Sequence, residues 1–324
     1  MIKYIKNNYK FILVLIIILV IFNINFPYYI DAPGGISDMS KKIDIDGYKS
    51  SGSFNIVYVR EYNATIPTLL ISLFNKNWDT IKQDEVLLDN EDDKTYQMRD
   101  KILMDESISN SIFVAYKYAN KKIDIITNKL IVTYIDTNAN TSLNVGDEII
   151  SINDTLINSK NDVTNITDKL NIGDKLNIKV INNNKEYNRY AYITKDKKIG
   201  ILISNIRKYK TNPSIKIKID ENESGSSGGL ITTLSIYNSL VKEDITNGLT
   251  IVGTGTIDLD GNIGSIGGIE YKLKSAVKND ADLFIVPNGE NYDTAIKLKN
   301  KNNYNIEIIG VSTFEETIKY LQNR

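Results

Sequence analysis

The chain has 324 residues, of which 42% are hydrophobic, so it can bury a sizeable core and is long enough for about two domains. Its 39 Lys and Arg against 40 Asp and Glu give a formal charge of −1, which excludes an overall positive charge that would attract nucleic acid. Cys and His are both absent from the sequence, which excludes disulfides, thiolate zinc sites and every catalytic site built on a thiol or an imidazole. Proton transfer near neutral pH must then use Lys, Tyr, Asp, Glu, metal-bound water or an α-amine.

The N-terminal segment is strongly apolar. Residues 11–22 are apolar without interruption, and residues 9–30, with two Asn tolerated, reach the roughly 20 residues that a transmembrane helix needs. Lysines precede this run, so the positive-inside tendency predicts a cytoplasmic N-terminus. A cleaved signal peptide is the alternative, but no small-x-small cleavage pattern follows. We expect residues 1–30 to be a cytoplasmic tip and a membrane anchor, which predicts a single-pass cell-membrane protein with the rest of the chain extracytoplasmic.

A globular segment is predicted for residues 31–120. A strand-like stretch covers residues 54–59, whereas residues 76–100 are polar and acidic and are typical of a solvated loop. Apolar residues recur every four positions in residues 104–118, which predicts a helix with one buried face.

Residues 121–195 have short β-like runs and one helical stretch near residues 162–170. Residues 143–154 read LNVGDEIISIND, which resembles a strand of PDZ domains, with Asp154 where Gly is usual. The resemblance implies a module that binds an extended peptide as an added strand, with a loop before Leu130 capturing a terminal carboxylate. A small β domain that serves as a spacer is the alternative.

A glycine-rich turn precedes an apolar helical pattern at residues 225–229, which read GSSGG. Glycines allow tight backbone folding, and the free N–H groups at a helix start favour a developing oxyanion. Taken alone, the segment favours a flexible linker or an ordinary Ser helix cap.

A strand is predicted for residues 250–257, followed by a turn at residues 258–262 and a second glycine pair at residues 267–268. The turn is unlike a calcium loop because Ile269 stands where Glu is needed, so a hairpin is favoured. A helix follows in which Lys272 flanks the apolar stripe, whereas Lys274 and Lys278 point away from it. Burial lowers the pKa of a lysine, so that its neutral amine can act as a base near neutral pH. The alternative is that a Lys beside an apolar stripe packs its alkyl chain there and extends its amine to the solvent.

Three blocks together resemble the proteolytic domain of the Lon family of serine peptidases: residues 225–229 (GSSGG), 253–256 (GTGT) and 267–272 (GGIEYK). The resemblance implies that Ser227 is the nucleophile, that Lys272 takes its proton and that Thr254 supports the lysine. The backbone N–H groups of Ser226, Ser227 and Gly228 would form the oxyanion hole.

The nucleophile turn departs from the usual Gly-Pro-Ser-Ala-Gly. Ser226 replaces Pro and becomes a rival nucleophile, and Gly228 replaces Ala. Ser224 stands where an acidic residue often precedes the motif.

The resemblance implies an α+β Lon-type domain made of residues 31–120 and 196–324, with a PDZ-like module inserted at residues 121–195. It also implies a possible homo-oligomer and no cofactor or metal. No phosphate-loop pattern occurs, so the chain resembles the ATP-independent, membrane-anchored, PDZ-containing Lon-like proteases of Gram-positive bacteria. The predicted function is a serine endopeptidase that cleaves extracytoplasmic peptides or unfolded protein segments presented by the PDZ-like module. The alternative is a membrane-anchored PDZ scaffold without catalytic activity.

Overall fold

The computed structural model describes residues 2–220 and 222–324. The helices are α1 (Ile2–Phe22), α2 (Ile66–Phe74), α3 (Asp93–Tyr118), α4 (Lys160–Thr167), α5 (Gly229–Leu240), α6 (Ile269–Lys278), α7 (Glu290–Asn302) and α8 (Phe314–Gln322). The strands of the first half are β1 (Tyr28–Asp38), β2 (Ile43–Ile45), β3 (Ser53–Asn63), β4 (Asp79–Lys82), β5 (Lys122–Ile135), β6 (Glu148–Ile152) and β7 (Thr155–Leu156). Those of the second half are β8 (Lys175–Asn182), β9 (Lys185–Tyr192), β10 (Ile201–Asn212), β11 (Ile215–Ile217), β12 (Thr250–Gly253), β13 (Thr256–Ile257), β14 (Ile263–Gly264), β15 (Leu283–Pro287) and β16 (Glu307–Val311).

One mixed sheet joins the two predicted segments of the larger domain, residues 31–120 and 196–324. Its strands lie in the order β16-β15-β12-β3-β1-β4. Neighbours from β16 to β3 are parallel, and β1 is antiparallel to both β3 and β4. The architecture is α+β, as the sequence predicts.

Helices cover both faces of this sheet because its central strands are apolar on both sides. On β12, Ile251 packs in the core with α5, whereas Val252 packs in the core with α6. Successive strand residues point to opposite faces, so this alternation separates the two cores. Helices α3, α5 and α8 pack on one face, and α6 and α7 pack on the other.

A second sheet forms the β-module between the two segments. Its strands lie in the order β10-β5-β6-β8-β9 around a separate apolar core, to which α4 contributes. Strand β10 lies beyond residue 195, the predicted end of the module, yet it pairs with β5 from Ile201 to Asn212. The predicted carboxylate-binding loop before Leu130 is wrong, because Leu130 lies in the middle of the long strand β5.

The long helix α3 begins earlier than its apolar spacing predicts. It starts at Asp93, where Asp92 forms a capping box with Thr95, so residues 93–100 are helical and not a loop. Its buried positions include Ser107, Ser109 and Ser111, whereas Ile108 is only partly buried. Polar side chains therefore face the interior of the protein on this helix.

The predicted N-terminal transmembrane helix is wrong. Within the described chain, no helix is both long and apolar enough to cross a membrane. Helix α1 ends at Phe22, so its uninterrupted apolar part rises only about 18 Å, whereas a bilayer core is about 30 Å thick. The residues that would have extended it, Tyr29 and Ile30, are instead buried in strand β1.

The predicted boundary at residue 30 therefore falls inside β1. Met1, the first residue of the predicted tip, lies outside the described residues. The extracytoplasmic location was inferred from the anchor, and it stays a prediction.

Candidate functional site

The site lies at the carboxyl end of β12, where this strand stops beside β3. Ser227 belongs to the turn before α5 on one face of the sheet, and Lys272 belongs to α6 on the other face. Thr254, the first residue after β12, stands between them. Carboxyl ends of parallel strands often carry binding sites because loops converge there.

Lys272 is buried, with 4% of its surface exposed. Burial disfavours the ammonium and lowers the pKa of Lys272 from 10.5 to about 8. On the same helix Lys274 is only partly buried, over the ring of Tyr271, and Lys278 is exposed. Lys272 is therefore the most buried of these three lysines, as the helical spacing predicts.

Thr254 connects Lys272 to the serine turn. The Lys272 Nζ donates a hydrogen bond to Thr254 Oγ1 over 3.1 Å, and Thr254 Oγ1 donates to the Ser227 carbonyl oxygen over 3.1 Å. The same carbonyl accepts the N–H of Gly255 at 2.7 Å. Within the described chain, no hydrogen bond joins the Ser227 hydroxyl directly to Lys272. Unliganded catalytic sites often show such loose geometry.

The turn before α5 leaves backbone donors unused. Gly225 takes a φ of +87°, a conformation that glycine adopts without strain, and its N–H donates to the Asp100 carbonyl. In the part of the chain that is described, the N–H groups of Ser226, Ser227 and Gly228 have no acceptor. They lie at the start of α5, where the helix dipole favours negative charge.

A cleft of about 1080 Å³ opens at this turn. Its walls come from β3, α3 and residues 217–220 and 222–225, with Ile56 and Met104 among the apolar contacts. Ser227 lines the cleft, whereas Ser226 is not among its described lining residues. The Ser226 carbonyl instead accepts hydrogen bonds from Ser107 Oγ at 3.0 Å and from the Gly229 N–H.

Two serines of α3 contact this turn, and the sequence pattern did not single them out. Ser107 Oγ donates to Ser226, and Ser111 Oγ lies 3.0 Å from the Gly229 carbonyl. A Cβ on Gly229 would lie 2.6 Å from Ser107 Oγ, so glycine there permits the close approach of α3. The sequence signal that could have indicated them is their spacing: two small polar residues lie four positions apart on a helix whose apolar pattern predicts a buried face.

The described residues offer no metal centre. No group of three or more carboxylates among them could hold a metal ion. At residues 258–262, the Asp258 carboxylate accepts the N–H groups of Asp260 and Asn262, and β13 pairs with β14 in a hairpin. The predicted hairpin is confirmed.

Residues 137–323, more than half of the chain, match the Lon protease (S16) C-terminal proteolytic domain. The chain belongs to this family. Lon protease 2 of Bacillus subtilis is 35% identical over 94 residues, which cover 29% of this chain and 16% of that protein. Lon protease of Campylobacter jejuni is 33% identical over 97 residues, covering 30% of this chain and 12% of that protein.

The Lon-type chain thus shares with these two relatives only a small part of their length. The family match agrees with the resemblance of the serine, threonine and lysine blocks, which all lie within residues 137–323. It extends over most of the β-module as well, so the assignment of that module as PDZ-like stays a prediction. The roles of Ser227, Lys272 and Thr254 also stay predictions.

Proposed function

We propose that the chain is a serine endopeptidase in which Ser227 is the nucleophile and Lys272 is the general base. The buried Lys272 amine is the observation that carries the proposal. It has a pKa of about 8 and reaches, through Thr254, the serine turn at the cleft. At pH 8 about half of such lysines are neutral, which is the form that can accept a proton.

In the proposed reaction, the neutral Lys272 amine takes the proton of the Ser227 hydroxyl as its oxygen attacks the substrate carbonyl carbon. The resulting ammonium then protonates the departing amine, so that an acyl-enzyme forms and the peptide bond breaks. Lys272 next takes a proton from water as the water oxygen attacks the ester. The ammonium then returns that proton to the departing Ser227 oxygen, which releases the acid and restores the hydroxyl and the neutral amine. Thr254 accepts one Nζ hydrogen bond throughout and so holds the amine in place.

Negative charge develops on the former carbonyl oxygen during each attack. The unused N–H groups of Ser226, Ser227 and Gly228 are suited to stabilise it, because they need no reorganisation when charge appears. Losing one such donor typically costs about a hundredfold to a thousandfold in kcat.

An extended substrate chain fits the neighbouring edge of β3. Strand β12 pairs with Ser53–Ile56 only, whereas β3 continues to Asn63 along the cleft. From Val57 onward, no described strand pairs with that edge of β3. Its backbone groups are available to a substrate that adds as a strand. This supports cleavage of flexible peptides or unfolded segments over folded proteins.

Three further parts of the proposal concern the need for ATP, the presentation of substrates by the β-module and assembly into an oligomer. No phosphate-loop pattern occurs in the sequence, so we propose that this chain cleaves without ATP. We also propose that the β-module is PDZ-like and presents substrates. Assembly into a homo-oligomer is proposed only from the family resemblance.

The test uses the full chain with casein and with an unstructured fluorogenic peptide, with and without ATP and Mg²⁺. We expect cleavage that ATP does not change, and its loss in Ser227→Ala and in Lys272→Ala. Lys278→Ala, on the exposed side of the same helix, is the matched control and should cleave normally.

Ser226→Ala separates the two adjacent serines. Activity that survives Ser227→Ala but disappears in Ser226→Ala would assign the nucleophile to Ser226. If the full chain binds the peptide but cleaves nothing between about pH 6 and 10, the peptidase proposal is wrong and the alternative, a peptide-binding scaffold without catalytic activity, is supported.

A further inference from the structure

Helix α3 makes polar contacts on two sides within a few residues. Ser107 and Ser111 contact the turn that carries Ser227. Glu106 and Ser109 contact the edge strand β10 of the β-module. Neighbouring helix residues point about 100° apart, so Glu106 and Ser107 can face different partners.

The contacts with β10 satisfy backbone donors at a strand edge. Glu106 Oε1 accepts the Asn205 N–H at 2.7 Å, and Glu106 Oε2 accepts the Ser204 hydroxyl at 2.8 Å. Ser109 Oγ accepts the Arg207 N–H at 3.0 Å. An extended peptide added to this edge would need the same N–H groups. Anchoring of α3 and strand addition at these positions therefore exclude each other.

The Glu106 anchor is well supported. Its carboxylate is only about one-fifth exposed, and Lys160 of α4 lies 3.6 Å from it. Hydrogen bonds to a charged acceptor are stronger than neutral ones. Asn205 is itself buried, and the Glu106 carboxylate is the acceptor of its N–H, so loss of this carboxylate leaves that donor without its partner.

We propose that Glu106 is a positioning residue: through α3 and Ser107, it couples the β10 edge of the β-module to the geometry of the nucleophile turn. Glu106 itself does not contact the turn. Loss of its carboxylate removes the contacts with Ser204 and Asn205, which a peptide strand added to this edge would also have to replace. The kinetic part of this inference rests on the proposed peptidase function.

The first experiment compares the full-length wild type with Glu106→Ala and Glu106→Gln on the unstructured peptide. We expect Glu106→Ala to lower kcat by between about twofold and thirtyfold while KM changes little. Glu106→Gln retains an oxygen for the Asn205 N–H and should recover most of the loss. Glu186→Ala is the matched control, because Glu186 is a glutamate of the same module that pairs on the surface with Lys179.

A double-variant cycle tests the path through Ser107. If Glu106 acts by way of Ser107, the Glu106→Ala and Ser107→Ala double variant loses no more kcat than Ser107→Ala alone. Losses that multiply would overturn this path.

Hydrogen exchange gives a readout that does not need cleavage. In Glu106→Ala, residues 199–210 should exchange faster because the Asn205 N–H loses its acceptor. Residues 224–234 should also exchange faster, since the Gly225 and Gly229 N–H groups report on the turn.

Faster exchange in β10 with an unchanged turn and unchanged kcat overturns the coupling. If the wild type cleaves nothing, the peptidase proposal fails, but the exchange comparison still decides whether β10 and the turn are coupled. If Glu106→Ala does not fold, Glu106→Gln is compared with the wild type instead. We then expect smaller changes in kcat and in hydrogen exchange, in the same directions.

Discussion

Replacing Lys272 by Met should abolish cleavage and at the same time stabilise the protein at neutral pH. Lys272 is buried and its pKa is lowered from 10.5 to about 8, so the folded protein holds its proton less tightly than the unfolded chain does. Below pH 8 both states are protonated, and the folded state bears the full cost of the buried charge. Methionine has similar length and no charge to bury.

The magnitude follows from the difference between the two pKa values. One pH unit corresponds to about 1.4 kcal/mol, so the buried ammonium destabilises the fold by about 3 kcal/mol at pH 7. Loss of the hydrogen bond to Thr254 offsets about 1 kcal/mol of the gain. We therefore expect Lys272→Met to be more stable than the wild type by about 2 kcal/mol at pH 7.

The sign can be checked through the pH dependence. Between pH 8 and 10.5 the unfolded chain binds more protons than the folded protein, so wild-type stability at this group rises with pH. Urea unfolding followed by circular dichroism, at pH 7 and pH 9.5, should show the variant's advantage shrinking by about 2 kcal/mol. Lys278→Met, on the exposed side of α6, should show no such change. A variant that is no more stable at pH 7, or an advantage independent of pH, would refute the assignment of a buried, weakly basic amine.

Three further results are expected. The kcat of the wild type should rise with pH through about 8 and then level off, because only the neutral Lys272 amine accepts a proton; a profile that falls over this range would contradict the base. Thr254→Val should lower kcat by about tenfold or more with little change in KM, since the amine loses its fixed partner; unchanged kcat in steady-state assays would remove Thr254 from the site. Gly229→Ala should lower the free energy of unfolding by about 1–3 kcal/mol, because its Cβ would meet Ser107 Oγ at 2.6 Å; thermal or urea unfolding indistinguishable from wild type would argue against the tight contact of α3.

Elements set by local signals could be predicted from the sequence. Strand β6 lies within residues 121–195, for which the sequence predicts short β-like runs. It is rich in the β-branched residue Ile and follows a turn in which Gly146 has positive φ. Helix α6 begins directly after Gly268, whose φ of +67° suits glycine. The proximity of Ser227, Thr254 and Lys272 was indicated by the family resemblance of three separate blocks, and not by local pattern.

Features that depend on distant contacts could not be predicted in this way. The polar residues Ser107 and Ser111 read as surface positions. They are nevertheless buried, because their hydroxyls donate hydrogen bonds to the carbonyls of Ser226 and Gly229, which are distant in the sequence. The apolar character of Tyr29 and Ile30 suited a membrane helix as well as a strand, and only the pairing of β1 with β3 and β4 decides between them. Tertiary context therefore determined both the missed residues and the wrong anchor.

The insertion of the β-module between β3 and β12 has a consequence for how the chain folds. The parallel pair formed by Ser53–Ile56 and Thr250–Gly253 cannot form during synthesis until the second strand has left the ribosome. Pairing between residues so far apart in the sequence slows folding, because the long intervening segment must close into a loop before the contacts can stabilise the fold. The intervening β-module has its own core, so it can fold first and bring the flanking segments together at its base, where β5 pairs with β10 along nearly their full length. We therefore expect the module to fold first and the Lon-type domain last. The turn that carries Ser227 is completed only when its contacts with α3 and Gly255 can form.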